Sequence, residues 1–234
     1  MGFSRERYER VLERIAQAAR RTGRSPDEIR LVSVTKTQPA EIVAEAIEGG
    51  VRVLGENRVQ EARQKRNELE PELAARARWH LIGSLQRNKA RQVPGLFDVV
   101  ESVDSLPLAR ELARRAKAAG VAPLEVLVQV NTGKEPQKGG ILPEDVLGLL
   151  REIGKLEALH PSGLMCIPPL GRSAEESRPH FRILRELRDQ AQEKGLALVQ
   201  TLSMGMSEDF EVAIEEGSTC VRIGTAIFGP RAAP

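Results

Sequence analysis

The sequence has few aromatic residues and almost no excess of charge of either sign. Phe, Trp and Tyr make up 3% of the 234 residues while hydrophobic residues make up 41%, so the core must be aliphatic. Such a core favours layered α/β folds over a β-sandwich. The 35 basic and 33 acidic residues leave a formal net charge of +2, which provides no electrostatic footprint for nucleic acid or a membrane surface. We therefore expect a small-molecule partner.

Cysteines, clustered histidines and long apolar runs are also scarce. Cys166 and Cys220 are far apart in apolar surroundings, which indicates reduced thiols rather than a disulfide or a metal site. His80, His160 and His180 form no pattern of metal ligands. No apolar run approaches the length of a membrane span, and the N-terminal segment is charged throughout, unlike a signal peptide. These features predict a cytoplasmic protein without metal or membrane anchor.

Strand-like and helix-like patterns alternate along the chain after an amphipathic helix that ends near Gly23. The predicted strands are LVSVTKT, VRVLGEN, WHLIGSL, FDVVESV, LEVLVQVN, HPSGLMCI, LVQTLSM and CVRIG. Helices are predicted at 39–48, in a polar segment up to residue 70, and at 88–92, 105–119, 143–156, 174–194 and 207–217. Eight tandem βα units predict an α/β fold, a closed (β/α)8 TIM barrel with residues 1–234 in one domain. A doubly wound open sheet usually has a Gly-rich turn after its first strand, where this chain has TKTQP.

The first predicted strand ends in a lysine. Period-two alternation places Val32, Val34 and Lys36 on one face of this strand. Burial among valines would lower the pKa of the amine and favour its neutral form, which can add to an aldehyde to give a Schiff base. The alternative is that Lys36 only marks the exposed end of the strand, with its methylene groups along apolar surface.

The seventh and eighth predicted strands end in SMGMS and RIGT, where TIM barrels commonly bind phosphate. Thr225 begins a segment that could form one helical turn with its N–H groups aimed at an anion. The alternative is ordinary turn chemistry, with Gly205 relieving backbone strain and Ser207 capping a helix. Because two acidic residues follow Ser207, the phosphate is predicted nearer Gly224 and Thr225.

Arg222 alternates with Gly224 on the eighth predicted strand, so its guanidinium is predicted to face inward, across the barrel mouth from Lys36. A buried guanidinium needs an acceptor. That acceptor is either a buried carboxylate, such as Glu56 or Glu101, or a ring nitrogen or anion of a ligand.

Six stretches together match a known family: SVTKTQP, GENRVQE, WHLIGSLQRNK, QVNTGKEPQKGG, GLMCIPP and LSMGMSEDFEVAIEEGSTCVRIGTAIFG. Over nearly its whole length the chain resembles the pyridoxal phosphate homeostasis protein family, also called YggS or PROSC-type proteins. These are single barrels similar to the N-terminal domain of alanine racemase, the type III fold of enzymes that use pyridoxal 5′-phosphate (PLP).

The resemblance implies a PLP site. It implies that Lys36 holds the cofactor as a Schiff base, that Asn57 lies beside it and that Arg222 faces the pyridine nitrogen. The residues implied to hold the phosphate are Ser203, Gly224 and Thr225. The apolar side chains implied as neighbours of the ring are Ile82 and Met204.

The same resemblance indicates a carrier more than an enzyme. An arginine, which is always protonated, leaves the pyridine ring neutral and therefore a weak electron sink. Alanine racemase uses a lysine and a tyrosine as opposed acid and base, but the single tyrosine here is Tyr8, in the first predicted helix, and we expect no second domain after the barrel.

These features predict a monomer that buffers or carries PLP in the cell, without a complete catalytic acid/base pair. Amino acids and PLP-dependent apoenzymes are candidate partners. The alternatives are a weak PLP-dependent amino-acid racemase or related enzyme that uses Lys36 alone, and a phosphosugar enzyme with an aldolase-type lysine.

Overall fold

The computed structural model describes residues 2–121, 123–169, 171, 173–196 and 199–230. Within these ranges eight parallel strands pair in sequence order and close into a barrel. They are β1 (Arg30–Val34), β2 (Val53–Glu56), β3 (Arg78–Leu81), β4 (Val99–Val103), β5 (Leu124–Val130), β6 (Leu159–Cys166), β7 (Thr201–Ser203) and β8 (Cys220–Ile223). Strands β1 and β8 close the barrel in register, from Arg30 opposite Cys220 to Ser33 opposite Ile223. The predicted (β/α)8 barrel is confirmed.

Helices surround the barrel. They are α1 (Arg5–Arg21), α2 (Ala40–Glu48), α3 (Val59–Glu68), α4 (Pro71–Ala74), α5 (Leu106–Ala118), α6 (Val146–Gly154), α7 (Arg178–Glu193), α8 (Phe210–Glu215) and α9 (Thr225–Phe228). Short 3₁₀ segments lie at Pro26–Glu28, Arg87–Gln92, Pro143–Asp145 and Ala174–Ser177. None of the helices in the described part of the chain has the length and apolar character needed to cross a membrane.

Prolines account for two helix boundaries that differ from the predicted ones. The polar helix predicted up to Glu70 ends at Glu68, and Pro71 starts the separate α4. The helix predicted over 174–194 is divided into a 3₁₀ segment and α7, with Pro179 in the first turn of α7. Proline has no N–H to donate and a φ already suited to a first turn, so it begins helices more easily than it continues them.

Some strands are shorter than predicted, and the last predicted residues of β1, β2 and β3 belong to the loops at the C-terminal end of the barrel. Strand β1 ends at Val34 rather than at Thr37. Strand β7 covers only Thr201–Ser203, and Leu198, also predicted in that strand, lies outside the described residues.

Helix α1 precedes the barrel and packs on its outside. The Ser4 side chain caps it by accepting a hydrogen bond from the Arg7 N–H. Its apolar stripe, which includes Val11 and Ile15, is buried. Arg14 forms an ion pair with Glu211 of α8 at 3.0 Å, so both apolar and charged contacts dock the helix.

Most of the hydrophobic core lies between the strands and the helices. Its fully buried large side chains include Leu54, Trp79, Phe181 and Phe210. Strand alternation turns the other faces of the strands inward, where two smaller apolar clusters form. One consists of Val32, Val34, Ile82 and Cys220, and the other of Val99, Leu127 and Met165. The interior of the barrel is therefore not one continuous apolar core.

Candidate functional site

A cavity of about 990 Å³ lies at the C-terminal ends of the strands, the end at which TIM barrels place their active sites. Six of the sequence-predicted residues line it: Lys36, Asn57, Ile82, Arg222, Gly224 and Thr225. They lie near or just after the C-terminal ends of four neighbouring strands, β1, β2, β3 and β8, so the closed barrel brings them together.

Lys36 reaches the cavity from a turn instead of from the strand itself. The turn after β1 is closed by a hydrogen bond from the Gln38 N–H to the Thr35 carbonyl at 3.0 Å. Thr37 adopts a φ of 65°, a conformation that β-branched residues rarely take. Backbone strain of this kind is concentrated at functional sites. Lys36 is half-buried and lines the same cavity as Val34.

A buried ion pair supports the two segments that carry Lys36 and Asn57. The Lys65 ammonium donates to Glu56 Oε1 at 2.6 Å and to the Thr35 carbonyl at 2.7 Å. The Thr35 hydroxyl donates to the same Glu56 oxygen at 2.6 Å. Thr35 directly precedes Lys36, and Glu56 directly precedes Asn57. Burial raises the pKa of Glu56, and the neighbouring Lys65 charge and hydrogen bonds offset part of that rise.

Asn57 is also in close contact with the loop after β3. A Cβ atom added to Gly83 would lie 2.2 Å from the carbonyl oxygen of Asn57 and 2.7 Å from its Cα. These are backbone atoms, so no side-chain rotation could relieve the overlap. Glycine at this position therefore lets the two cavity loops pack together.

Arg222 lies at one end of a buried chain of hydrogen bonds. Its Nη1 donates to the Ser203 hydroxyl at 2.7 Å and its Nη2 to the Cys166 carbonyl at 2.8 Å. The Ser203 hydroxyl in turn donates to Glu101 Oε2 at 2.5 Å, and His80 Nδ1 lies 2.6 Å from Glu101 Oε1. Burial raises the pKa of Glu101, but the bonds and charges of His80, Arg222 and Ser203 outweigh it and hold that pKa below its ordinary value. Of the acceptors predicted for Arg222, Glu101 is therefore connected to it through Ser203, whereas Glu56 pairs with Lys65.

The wall formed after β8 is tightly packed. The N–H groups of Ile227 and Phe228 donate to the Gly224 carbonyl at 2.9 Å, which forms the short helix α9. A Cβ atom at Gly224 would lie 3.2 Å from the Val34 carbonyl oxygen. The absence of a side chain thus lets the end of β8 approach the end of β1, beside Lys36.

Ser203 and Met204 are placed differently from the other predicted residues. The Ser203 hydroxyl is fully buried and takes part in the Arg222 chain, and it is not among the residues lining the cavity. Met204 is fully buried in the core between strands and helices. Their predicted contacts with a phosphate and a ring remain predictions. The helix predicted over 207–217 begins at Phe210, so Ser207 lies before it.

The structure adds a second lysine that periodicity did not indicate. Lys138 lies in the loop after β5 and lines the same cavity as Lys36. Its ammonium donates to the Pro168 carbonyl at 3.0 Å and pairs with Glu135 at 2.6 Å. The one signal in the sequence was its position in a Gly-rich loop after a predicted strand.

Both cysteines are free and buried. Burial raises the pKa of the Cys166 thiol and of the Cys220 thiol to about 12. Within the described ranges no group of three or more His, Cys, Asp or Glu side chains is arranged to hold a metal ion.

The fold and the cavity define a small-molecule-binding barrel with an amine and a guanidinium in its site. Residues 7–232 match the family model described as the N-terminal domain of alanine racemase. A protein of Aquifex aeolicus named pyridoxal phosphate homeostasis protein is 44% identical over 226 residues, which cover 97% of each chain. The chain therefore belongs to the pyridoxal phosphate homeostasis protein family, whose barrel is of the alanine racemase N-terminal type.

Solved structures support the same assignment. PipY of Synechococcus elongatus, determined with PLP bound, is 38% identical and has a TM-score of 0.80, over 92% of this chain and all of PipY (100%). Alanine racemase of Clostridium difficile has a TM-score of 0.70 over 95% of this chain and 56% of that enzyme. At 17% identity, this second likeness shows the fold alone.

Proposed function

We propose that this protein binds PLP reversibly in the barrel cavity and serves PLP homeostasis by buffering or carrying the cofactor. The observation that carries the proposal is that Lys36, Asn57 and Arg222 line one cavity at the C-terminal end of the barrel. Its relatives' names and the PLP bound to PipY support the same ligand.

The residues present fit PLP. The cavity volume is within the roughly 300–1,000 Å³ usual for small-molecule sites. PLP supplies an aldehyde that condenses with an amine, and a half-buried lysine beside Val34 and Ile82 suits that reaction. Lys36 would hold the aldehyde as a Schiff base, with Asn57 and Ile82 beside the ring. The backbone near Gly224 and Thr225 would hold the phosphate.

Arg222 determines which chemistry the site favours. Its guanidinium keeps its charge at any relevant pH, so it can donate a hydrogen bond to a ring nitrogen without giving up a proton. A ring left neutral is a weak electron sink, which disfavours carbanion chemistry. Tyr8, the chain's single tyrosine, lies in α1 and packs against Phe3 with ring centroids 6.0 Å apart. Holding and releasing PLP fits these residues better than racemisation.

The setting of this activity is part of the proposal. Residues 1–234 would act as one domain, which is supported by the match of residues 7–232 to a single family model, and the barrel would act as a monomer. The two free, buried thiols suit the reducing cytoplasm. Amino acids would be further small-molecule partners, and PLP-dependent apoenzymes would take up the cofactor that it releases.

Peptide mapping tests the assignment of Lys36. Protein loaded with PLP should show the absorbance band of a Schiff base, and borohydride reduction should fix the pyridoxyl group on Lys36. Lys36→Ala should lose the band. Lys138→Ala, in the same cavity, and the exposed Lys155→Ala should keep it. A label that maps to Lys138 in the wild-type protein would overturn the assignment. Phosphate binding without any PLP band would favour the aldolase-type alternative.

Exchange of the α-hydrogen of amino acids in deuterated water tests the absence of catalysis. Racemisation needs an acid and a base on opposite faces of the substrate, and each missing group typically costs about 10²- to 10⁴-fold. We expect negligible exchange. Exchange at an ordinary enzymatic rate, on the order of 1 per second or faster, would refute the carrier function. If Lys138→Ala then removed that exchange, Lys138 would be the second group.

A further inference from the structure

A polar chain crosses the interior of the barrel. It consists of His80 on β3, Glu101 on β4, Ser203 on β7 and Arg222 on β8, each at most 4% exposed. Polar groups buried this deeply cost free energy unless they bond to one another. Here each bonds to the next, at distances from 2.5 to 2.7 Å. Nε2 of His80 has no hydrogen-bond partner among the described residues, but the bonds that connect the four side chains hold them in one arrangement.

The chemistry of Glu101 gives this chain a direction. An ionised carboxylate can only accept hydrogen bonds, so the Ser203 hydroxyl donates to it. The lone pairs of that hydroxyl are then left for Nη1 of Arg222. Nη2 donates to the Cys166 carbonyl, so two of the five guanidinium N–H groups are engaged by protein oxygens in the described ranges. This two-point contact fixes the plane of the guanidinium.

The charges of Glu101 and Arg222 also link the two residues. Glu101 is 0% exposed and Arg222 is 4% exposed, so either charge without the other would destabilise the fold. Together their two charges cancel, with Ser203 between them and the titratable His80 at the other oxygen of Glu101. Arg222 lines the cavity but Glu101 does not, so any influence of Glu101 on a ligand must act through Arg222.

We propose that Glu101 is a positioning residue for the PLP site: the buried counter-ion that, through Ser203, orients Arg222 and compensates its charge. The inference rests on the proposed function. Arg222 then presents an oriented hydrogen-bond donor to the cavity rather than a free cation. The cavity wall at Arg222 is thereby matched to a neutral acceptor, such as an unprotonated pyridine nitrogen.

The test compares the pH titration of the bound cofactor's absorbance band in wild-type and variant proteins. In Glu101→Gln the charge of Arg222 is uncompensated, and an added positive charge disfavours protonation of groups near it. We expect the midpoint of the titration to move to lower pH and PLP affinity to fall by about tenfold or more. In the double variant, which combines Glu101→Gln with Arg222→Gln, both charges are absent, so the midpoint should move back towards the wild-type value.

Glu125→Gln is the matched control. Glu125 also accepts hydrogen bonds from an arginine and a serine, Arg78 and Ser162, both at 2.8 Å. It lies at the start of β5, at the end of the barrel opposite the cavity. Its substitution should leave the midpoint and the affinity unchanged within about twofold. A purely structural role for Glu101 would lower stability while leaving the midpoint in place, and that result would overturn the proposal.

Two further measurements keep the test decisive. Ser203→Ala breaks the link but keeps both charges, so it should shift the midpoint in the same direction by less, even if Glu101→Gln fails to fold. In cofactor-free protein, the double variant should resist urea better than Glu101→Gln alone, because the single change leaves Arg222 buried without its counter-ion. Additive losses would refute the pairing. Absence of a PLP band in the wild-type protein would instead refute the proposed function, and the urea comparison would still test the pairing.

Discussion

Replacing Lys65 with methionine should destabilise the protein far more than the loss of an ordinary surface lysine. Lys65 is 7% exposed and Glu56 0% exposed, and their ion pair measures 2.6 Å. Methionine has a similar length but leaves the Glu56 carboxylate without its neighbouring charge. Removing one partner of a buried pair costs about 3–5 kcal/mol, which is a large part of the roughly 5–15 kcal/mol that stabilises a typical domain.

The pH dependence of this loss follows from Glu56. Burial already raises its pKa above 4.5, and the Lys65 charge opposes that rise, so Lys65→Met should raise the pKa further. A folded-state pKa above the unfolded value means that the folded state favours the protonated carboxyl. The penalty is therefore absent below about pH 4.5, grows as pH rises towards the folded pKa and is complete above it.

Urea unfolding of the cofactor-free protein, followed by circular dichroism at several pH values, measures the effect. The double variant that combines Lys65→Met with Glu56→Gln should be more stable than Lys65→Met alone at neutral pH, because it buries no unpaired carboxylate at residue 56. Lys155→Met, which removes an exposed partner of Glu152, should unfold like the wild-type protein. A wild-type unfolding free energy for Lys65→Met at neutral pH, or a loss that does not depend on pH, would show that the buried pair is not what supports Thr35 and Lys36.

Two further expectations concern the cavity loops and the thiols. Gly83→Ala should weaken PLP binding by about tenfold or more in a cofactor titration, because its Cβ would overlap the Asn57 backbone. Gly148 is exposed in α6, and a Cβ added there would have nothing within 4 Å, so Gly148→Ala should instead stabilise the protein by about 0.5–1 kcal/mol and leave binding unchanged. Equal PLP affinities of Gly83→Ala and the wild-type protein would contradict the role of Gly83. Burial raises the pKa of Cys166 and of Cys220 to about 12, so a thiol reagent at neutral pH should modify neither until the protein is unfolded, and rapid reaction of the folded protein would contradict their burial.

The barrel was predictable because its signals are local. Alternating apolar positions and the turn residues between them mark each βα unit, and eight such units have few ways to pack other than a closed barrel. The same alternation singled out Lys36 by placing it on the face of Val32 and Val34, although in the structure Lys36 lies beyond the end of β1. The exact end of β1 was not predictable, because the turn that carries Lys36 depends on a strained φ at Thr37 and on contacts from Glu56 and Lys65.

The contacts that organise the cavity depend on distant parts of the chain. Ser203 and Glu101 are 102 positions apart, and Arg222 and Cys166 are 56 apart, so no periodic pattern links them. The order of strands in the closed barrel creates these pairs. Lys138 reaches the cavity from a loop, where side-chain direction follows no repeat.

The sequence alone therefore establishes the barrel and its largely aliphatic core, since these follow from periodicity within a few residues, whereas tertiary contacts place Lys36 in the turn after β1. Whether a polar side chain meets a ligand or another side chain is settled by tertiary packing. Ser203 illustrates this: alternation turns it inward, but the positions of Glu101 and Arg222 engage its hydroxyl within the barrel wall. Because an unpaired polar group is costly to bury, the donors and acceptors of such a side chain bond to other protein groups, and they are then not available to a ligand in the cavity.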